Sequence, residues 1–180
     1  MIYNYKEVIK IYKNDYNLKK ALNKNEIYKL EKGIYSQTKV VSPLVLYSKK
    51  YPNAVITMDS AYYYYNLTDV IPNKVYLATD RNSDKINNKK IVQIYMSKEI
   101  LNAGKLTIKE DNQAINIYDR ERLLIELIRK KKQIAFDYYK EIISNYRKIV
   151  DELDMYKIED YLSLFKNDIN LSNILQMEVF

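Results

Sequence analysis

The sequence contains no cysteine, histidine or tryptophan, and only two of its 180 residues are glycine. Without cysteine and histidine it can form no disulfide, thiolate nucleophile, Cys/His zinc site or imidazole base. Gly33 and Gly104 are 71 positions apart, so the chain cannot build a glycine-rich loop around a phosphate. These absences exclude most familiar catalytic sites. We therefore expect a protein that is not an enzyme and that has no cofactor and no metal.

Long apolar runs are also absent. No stretch approaches the roughly 18 uncharged apolar residues that a membrane-spanning helix needs, and the first residues contain no apolar signal region. We expect a soluble, cytoplasmic protein with no membrane partner. The lack of cysteine agrees with a reducing compartment. The length fits one ordinary domain, or one domain with a small module at an end.

Positive charge is in excess. The 30 lysine and arginine residues outnumber the 23 acidic ones, which gives a net charge of +7. Residues 1–36 hold eight lysines and four acidic residues, a net of +4, so one fifth of the chain carries more than half of the excess. This imbalance favours a polyanionic partner. The alternative is that the lysines only solvate the surface of a lysine-rich protein.

The first 36 residues predict a small module. Apolar residues within 8–12 have helical spacing, and a turn follows them. A second short helix comes next, with Asn17 as its N-cap and lysines on the side opposite its apolar face. The alternating runs 26–30 and 34–36 then predict a hairpin. Helix, turn, basic helix and hairpin is the order of a winged helix-turn-helix.

The rest of the chain predicts a mixed domain. Ser42 and Pro43 start a helix that should end near Lys50, and Asp59 or Ser60 should cap a brief one. The fold class is therefore α+β: a winged helix-turn-helix DNA-binding domain over 1–36, then an α/β domain over 37–180 that ends in a helical bundle. The predicted strands are 54–57, 75–78, 91–95, 106–109 and 114–118, and the later helices are 98–101, 120–130, 135–150, 155–165 and 171–177.

The N-terminal module has a physical route to DNA. A short helix can enter the major groove while lysines neutralise phosphates and a hairpin wing lies along the backbone. Asn17 and Asn23 are the candidate readers of base edges, and Tyr28 belongs to the wing. The predicted DNA-binding residues are Asn17, Lys19, Lys20, Asn23, Lys24, Tyr28, Lys29 and Lys32.

A second basic surface is predicted near the helix that Asp119 should cap. Arginines in a first helical turn oppose the helix dipole, which indicates that Arg120 and Arg122 serve another purpose. With Arg129 and Lys130 at the other end, this helix could present a second cationic face. The alternative is plain solvation, with the last cations complementing the dipole.

A metal-dependent nuclease is a less favoured alternative. Such chemistry needs carboxylates, usually with a lysine, converging at strand ends. The Asp/Glu-x-Lys pattern is absent from the sequence, and helix caps and turns explain the acidic residues more simply. The acidic residues near predicted strand ends are Asp59, Asp69, Asp80, Asp84, Glu110 and Asp111.

Several ordered short motifs resemble one known family. They cover roughly residues 29 to 130 and carry no catalytic signature. They are EKGIY at 31–35, AVITMDSA at 54–61, YNLTD at 65–69, IP at 71–72, VYLAT at 75–79, IYDRER at 117–122 and LIR at 127–129. Together they resemble the AbiEi antitoxins of bacterial abortive-infection systems, which are type IV toxin-antitoxin systems.

The resemblance implies two functions in one chain. The winged module would bind inverted repeats in its own promoter and repress transcription. The larger domain would neutralise a nucleotidyltransferase-like toxin without forming a stable complex with it. The expected partners are double-stranded DNA and, functionally, the toxin, while the oligomeric state stays open, a monomer included. The rival hypothesis is a plain transcriptional regulator whose C-terminal domain senses a ligand or dimerises.

Overall fold

A computed structural model describes residues 1–165 and 170–180 and has the mixed α+β composition that the sequence predicts. The backbone divides into two compact units. Unit 1 comprises Met1–Ala54 and Thr107–Asn116, and unit 2 comprises Val55–Leu106 and Ile117–Phe180. The domain boundary expected at residue 36 stays a prediction, and that position lies inside unit 1.

Unit 1 is built on a small antiparallel sheet with the strand order β1–β3–β2. Ile2 and Tyr28 both lie opposite Ser36, so β3 is the central strand. The predicted helices and hairpin are present, and β1 is an addition that three residues were too short to signal. The elements are β1 (Ile2–Asn4), α1 (Tyr5–Tyr12), α2 (Asp15–Asn23), β2 (Tyr28–Glu31), β3 (Ile34–Ser36) and α3 (Pro43–Lys50).

Asparagine side chains start both helices of the predicted module. Asn4 and Glu7 form a capping box, in which each side chain accepts the backbone N–H of the other, at 2.9 and 2.7 Å. At α2 the cap is Asn14, whose Oδ1 accepts the N–H of Asn17 at 2.9 Å. The prediction that Asn17 caps this helix is therefore wrong, because the cap lies three residues earlier and the helix begins at Asp15. The buried core of the module is Val8, Leu18, Ala21, Ile27 and Tyr35.

The helix α3 belongs to unit 1 and packs against β1 and β3. It begins at Pro43 as predicted, and Val45 and Tyr47 are its buried apolar residues. Its last turn carries Lys49 and Lys50, whose charges suit a helix C-terminus. Unit 1 therefore has three helices over residues 1–54.

The larger sheet has the strand order β6–β5–β4–β8–β7. The neighbours β5 and β6 are parallel, with Val75 opposite Ile91, and β6 is an edge strand. The short β4 runs antiparallel to β5 and parallel to β8. The strands are β4 (Val55–Ile56), β5 (Val75–Asp80), β6 (Ile91–Met96), β7 (Lys105–Glu110) and β8 (Gln113–Tyr118).

Three helices of unit 2, α4, α8 and α9, pack against α6 (Arg120–Arg129), whose residues 121–128 are all buried. Asp119 caps α6 as predicted, accepting the N–H of Arg122 at 2.8 Å. Thr57 is the N-cap of α4, so the predicted caps Asp59 and Ser60 lie inside that helix. The helices are α4 (Met58–Tyr64), α5 (Lys98–Asn102), α6 (Arg120–Arg129), α7 (Phe136–Lys148), α8 (Met155–Ser163) and α9 (Leu171–Glu178).

Helix length bears on the membrane question. The helix α7 has 13 residues, well short of the roughly 20 that a bilayer requires. Over residues 1–165 and 170–180, no helix has both the length and the apolar composition to cross a membrane.

Candidate nucleic-acid interface

The net positive charge is concentrated in unit 1. Its residues include twelve lysines and six acidic residues, which gives +6. Unit 2 has 18 basic and 17 acidic residues, which gives +1. Most of the excess positive charge therefore lies in unit 1. A positively charged surface attracts a polyanion.

The outward face of α2 is basic. Leu18 and Ala21 point into the core of unit 1, Leu22 packs half-buried beside that core, and Lys19, Lys20 and Asn23 are exposed. Lys19, Lys20 and Asn23 are predicted DNA-binding positions exposed on this helix, and the predicted position Lys24 is its exposed C-cap. The side opposite the core therefore offers cations to solvent, as the helical spacing predicted.

Two of the predicted positions are already engaged. The Asn17 amide nitrogen Nδ2 donates a hydrogen bond to the carbonyl oxygen of Tyr12 at 3.0 Å, which ties the start of α2 to the end of α1. The Lys24 ammonium lies 3.8 Å from the Glu26 carboxylate, and both side chains are more than half exposed. That ion pair is weak, whereas the hydrogen bond restrains the orientation of the Asn17 amide.

The angle between α1 and α2 is fixed by their connection. Lys13 has a φ of 70°, in the left-handed region, and its N–H donates to the Ile9 carbonyl oxygen at 2.7 Å. Across the turn, the Tyr5 hydroxyl donates to Asp15 Oδ1 at 2.8 Å. The first contact closes the end of α1, and the second holds the first turn of α2 against α1.

The β2–β3 hairpin places the predicted wing residues on its outer side. Lys29 and Lys32 are exposed, and Tyr28 is half-buried. The turn needs Gly33, whose φ is +79° and around which there is open space. Unit 1 therefore presents lysines on two elements, α2 and the hairpin.

Side-chain contacts join the helix α3 to the hairpin and to α1. The Glu31 carboxylate accepts hydrogen bonds from the Tyr47 hydroxyl, at 3.0 Å, and from Lys50. Lys49 pairs with Glu7 of α1 at 2.7 Å. Partial burial acts to raise the pKa of Glu7, but the hydrogen bonds from Lys49 and Asn4 outweigh it and lower that pKa. These residues are not among the predicted site residues, because their only signal in the sequence is opposite charge at long separation along the chain.

The position of Arg122 contradicts its predicted place on a second basic surface. Its side chain is fully buried, and its Nη2 lies 2.6 Å from Glu126 Oε1, one helical turn further along α6. Its guanidinium also lies 5.1 Å from the ring centroid of Tyr118 and 4.9 Å from that of Phe165. The unfavourable position at the helix start reflects a buried ion pair, so Arg122 contributes to no surface.

Arg120 and Arg129, two other members of that predicted surface, also have structural partners. Arg120 pairs with Glu152 at 2.8 Å. Arg129 lies 3.2 Å from Glu126, and its guanidinium is 3.8 Å from the ring centroid of Phe165. Lys130 is half-buried. Three of the four cations are thus compensated or buried, and the second basic surface is not assembled as the sequence predicted.

The acidic residues do not assemble a metal site within the part of the chain that the structure describes, where no group of three possible ligands converges. Asp80 accepts the N–H of Asn82 at 2.8 Å, and Asp111 forms the β7–β8 turn with a φ of 48°. Burial raises the pKa of Asp59, an effect that the nearby hydroxyls of Tyr76 and Tyr138 oppose. Asp80 and Asp111 therefore lie in turns, which is the simpler explanation that the sequence offered for them.

Unit 1 therefore exposes lysines on α2 and on the β2–β3 hairpin, and α3 forms an ion pair with that hairpin. No protein-family model matches this chain, and a comparison with curated proteins found no match.

Proposed function

We propose that the chain is a DNA-binding autorepressor that also acts as the antitoxin of a type IV toxin-antitoxin system. In this proposal unit 1 is a winged helix-turn-helix, with α2 as the recognition helix and the β2–β3 hairpin as the wing. The observation that carries it is the net charge of +6 on unit 1, combined with the exposed lysines of α2.

The element order supports the winged module. Two helices joined by a two-residue turn and followed by an antiparallel hairpin are its parts. Such modules usually have a further helix before these two, and here α3 supplies the additional packing by contacting β1 and β3. The ion pairs of α3 with Glu7 and Glu31 would hold α1 and the wing in one orientation.

The lysines would bind phosphates on both sides of the groove. Lys19 and Lys20 extend from α2, and Lys29 and Lys32 extend from the hairpin. Each lysine that neutralises a phosphate releases condensed counterions, so binding should weaken steeply with salt. Inverted repeats in the chain's own promoter are the proposed target.

The antitoxin half of the proposal rests on the resemblance to the AbiEi family. Unit 2, which is almost electrically neutral, would counter a nucleotidyltransferase-like toxin encoded beside it. No stable complex between the two proteins is required.

A pair of cellular assays tests both halves. One measures repression of a reporter fused to the DNA upstream of this gene, and the other measures rescue of growth when the neighbouring gene is driven from a foreign promoter. Replacing Lys19, Lys20 and Lys24 by alanine should relieve repression and leave rescue intact. The matched control replaces Lys85, Lys89 and Lys90, three exposed lysines of unit 2, and should preserve repression.

Each failure has a distinct meaning. Loss of both activities in the α2 variant would contradict the division of labour between the units. No rescue by the unaltered chain would favour the plain transcriptional regulator over the antitoxin. No repression by the unaltered chain would overturn the DNA-binding half.

A further inference from the structure

Tyr16 is the most exposed aromatic residue of unit 1 among those the structure describes, with 75% of its surface accessible. It is the second residue of α2, and it follows the cap Asn14 and Asp15. Nothing in the packing of unit 1 accounts for it, since the core uses Val8, Leu18 and Ala21 at this point. An exposed aromatic ring at this position calls for another explanation.

Helical geometry places Tyr16 on the side of α2 that faces away from the core. Positions 16, 20 and 23 are separated by four and three residues, so they form one stripe along α2. Leu18 and Ala21 lie on the opposite side and are buried. Tyr16, Lys20 and Asn23 therefore form a single exposed stripe, with an aromatic ring at its N-terminal end.

The other side chains of the first turn are occupied. Asp15 accepts a hydrogen bond from the Tyr5 hydroxyl at 2.8 Å, and Asn17 donates to the Tyr12 carbonyl oxygen at 3.0 Å. No hydrogen bond joins the Tyr16 hydroxyl to another described residue. A recognition helix contacts base edges mainly through its N-terminal residues. Among the exposed side chains of that turn, Tyr16 is the one that makes no hydrogen bond to another described residue, which leaves its ring unrestrained for such a contact.

We propose that Tyr16 determines the sequence specificity of DNA binding by packing its ring against the 5-methyl group of a thymine in the major groove. This inference rests on the proposed DNA-binding function. Thymine is the base that presents an apolar group on its major-groove edge, and an aromatic ring complements it. Lys20, one turn further along the stripe, binds phosphate and holds the helix in register.

The test uses the full chain and a duplex selected by that chain from a random-sequence library. Equilibrium binding to this duplex and to a scrambled duplex is measured for the unaltered protein and three variants. Tyr16→Ala should weaken binding to the selected duplex roughly tenfold, the typical cost of one lost base contact, and should change binding to the scrambled duplex less than about twofold. Tyr16→Phe keeps the ring and should behave like the unaltered chain.

The chain contains a close control for this substitution. Tyr156 is the second residue of α8 in unit 2, and it is 83% exposed. Tyr156→Ala changes the same residue type at the same helical position, and it should leave both affinities unchanged. Circular dichroism should show intact helices in both variants, because alanine favours a helix more than tyrosine does.

A second arm identifies the base. Each thymine of the selected duplex is replaced in turn by deoxyuridine, which lacks the 5-methyl group. One replacement should weaken binding of the unaltered chain and have no further effect on Tyr16→Ala, because the two changes remove the same contact.

The outcomes separate the two claims. An unaltered chain that selects no sequence would overturn the proposed function and this inference with it. A selective chain whose Tyr16→Ala variant retains its full preference for the selected duplex would overturn this inference alone. Additive effects of deoxyuridine and Tyr16→Ala at every thymine would exclude the methyl contact.

Discussion

At the scale of single residues, Gly104 and Arg122 show how a backbone position and a buried charge depend on each other. Gly104 has a φ of +73°, and a Cβ atom built on it would lie 2.5 Å from the Arg122 Cβ and 2.9 Å from its Cγ. The glycine therefore satisfies two needs, a left-handed backbone and close contact with α6.

Gly104→Ala should destabilise the protein by about 2–4 kcal/mol, the sum of left-handed strain and overpacking. Urea unfolding followed by circular dichroism measures this change. Gly33→Ala is the matched control, since its φ is +79° and no atom lies within 4 Å of the added Cβ. It should cost about 1 kcal/mol from the backbone alone. Equal losses for the two variants would show that the contact with Arg122 is unimportant.

The burial of Arg122 could not be predicted from the sequence. Its position in a first helical turn marked it as electrostatically unusual, and the structure explains the anomaly by the buried pair with Glu126. Spacing alone could not separate an exposed cation from a buried one. That distinction depends on which elements cover α6, and α4, α8 and α9 all pack against it.

At the scale of elements, α3 acts as a brace for the predicted wing. The Glu31–Lys50 pair joins β2 to α3, and its side chains are only 22% and 25% exposed. Shielding from solvent makes such a pair stronger than one on the open surface.

Glu31→Gln removes the charge and keeps the shape, and it should destabilise unit 1 by about 1–2 kcal/mol. Glu26→Gln in the same unit is the control, because its pair with Lys24 is long and exposed; that change should stay within about 0.5 kcal/mol. Thermal or urea unfolding of both variants provides the comparison. A Glu31→Gln variant as stable as Glu26→Gln would contradict the bracing role.

Acid should weaken the attachment of α9. Partial burial acts to raise the pKa of Glu178, but hydrogen bonds from Lys131 and Tyr139 outweigh it and hold that pKa below its ordinary value. A carboxylate with a lowered pKa in the folded state stabilises the protein above its unfolded pKa, and the contribution disappears as the pH falls through the folded value.

Glu178→Gln should therefore be less stable than the unaltered chain at pH 7, and the difference should shrink as the pH falls below about 4. Unfolding midpoints measured from pH 7 to pH 3 test this. Glu159→Gln, a change at an exposed position of α8, should show no comparable trend. A gap between Glu178→Gln and the unaltered chain that stays constant with pH would show that the carboxylate charge is not involved.

Elements with clear local signals were predictable, and very short ones were not. The helix α6 follows from its cap and its apolar spacing, and the β2–β3 hairpin follows from two alternating runs around Gly33. By contrast, β1 has three residues, too few for a period of two to stand out. The start of α2 was misplaced because Asn14 and Asn17 are equally good caps in sequence, and the turn at Lys13 decides between them.

At the scale of the whole molecule, the division into units is what the sequence could not specify. Residues 107–116 belong to the same unit as residues 1–54, and a pairing so distant along the chain leaves no local pattern. Asn116, whose Nδ2 donates to the Pro52 carbonyl oxygen at 2.8 Å, is one such contact within unit 1. The concentration of charge was nevertheless visible in sequence, because charge counts need no fold.

The central claim is that unit 1 binds DNA by sequence, and a titration tests it most directly. The purified chain is titrated with duplexes of its own upstream DNA and of a scrambled sequence, at several salt concentrations. The account predicts tighter binding to the upstream DNA, with log K falling against log salt by about 0.9 for each phosphate contact. Replacing Lys19, Lys20 and Lys24 by alanine should make that slope shallower by about 2.7. Equal or negligible binding to the two duplexes would contradict the account.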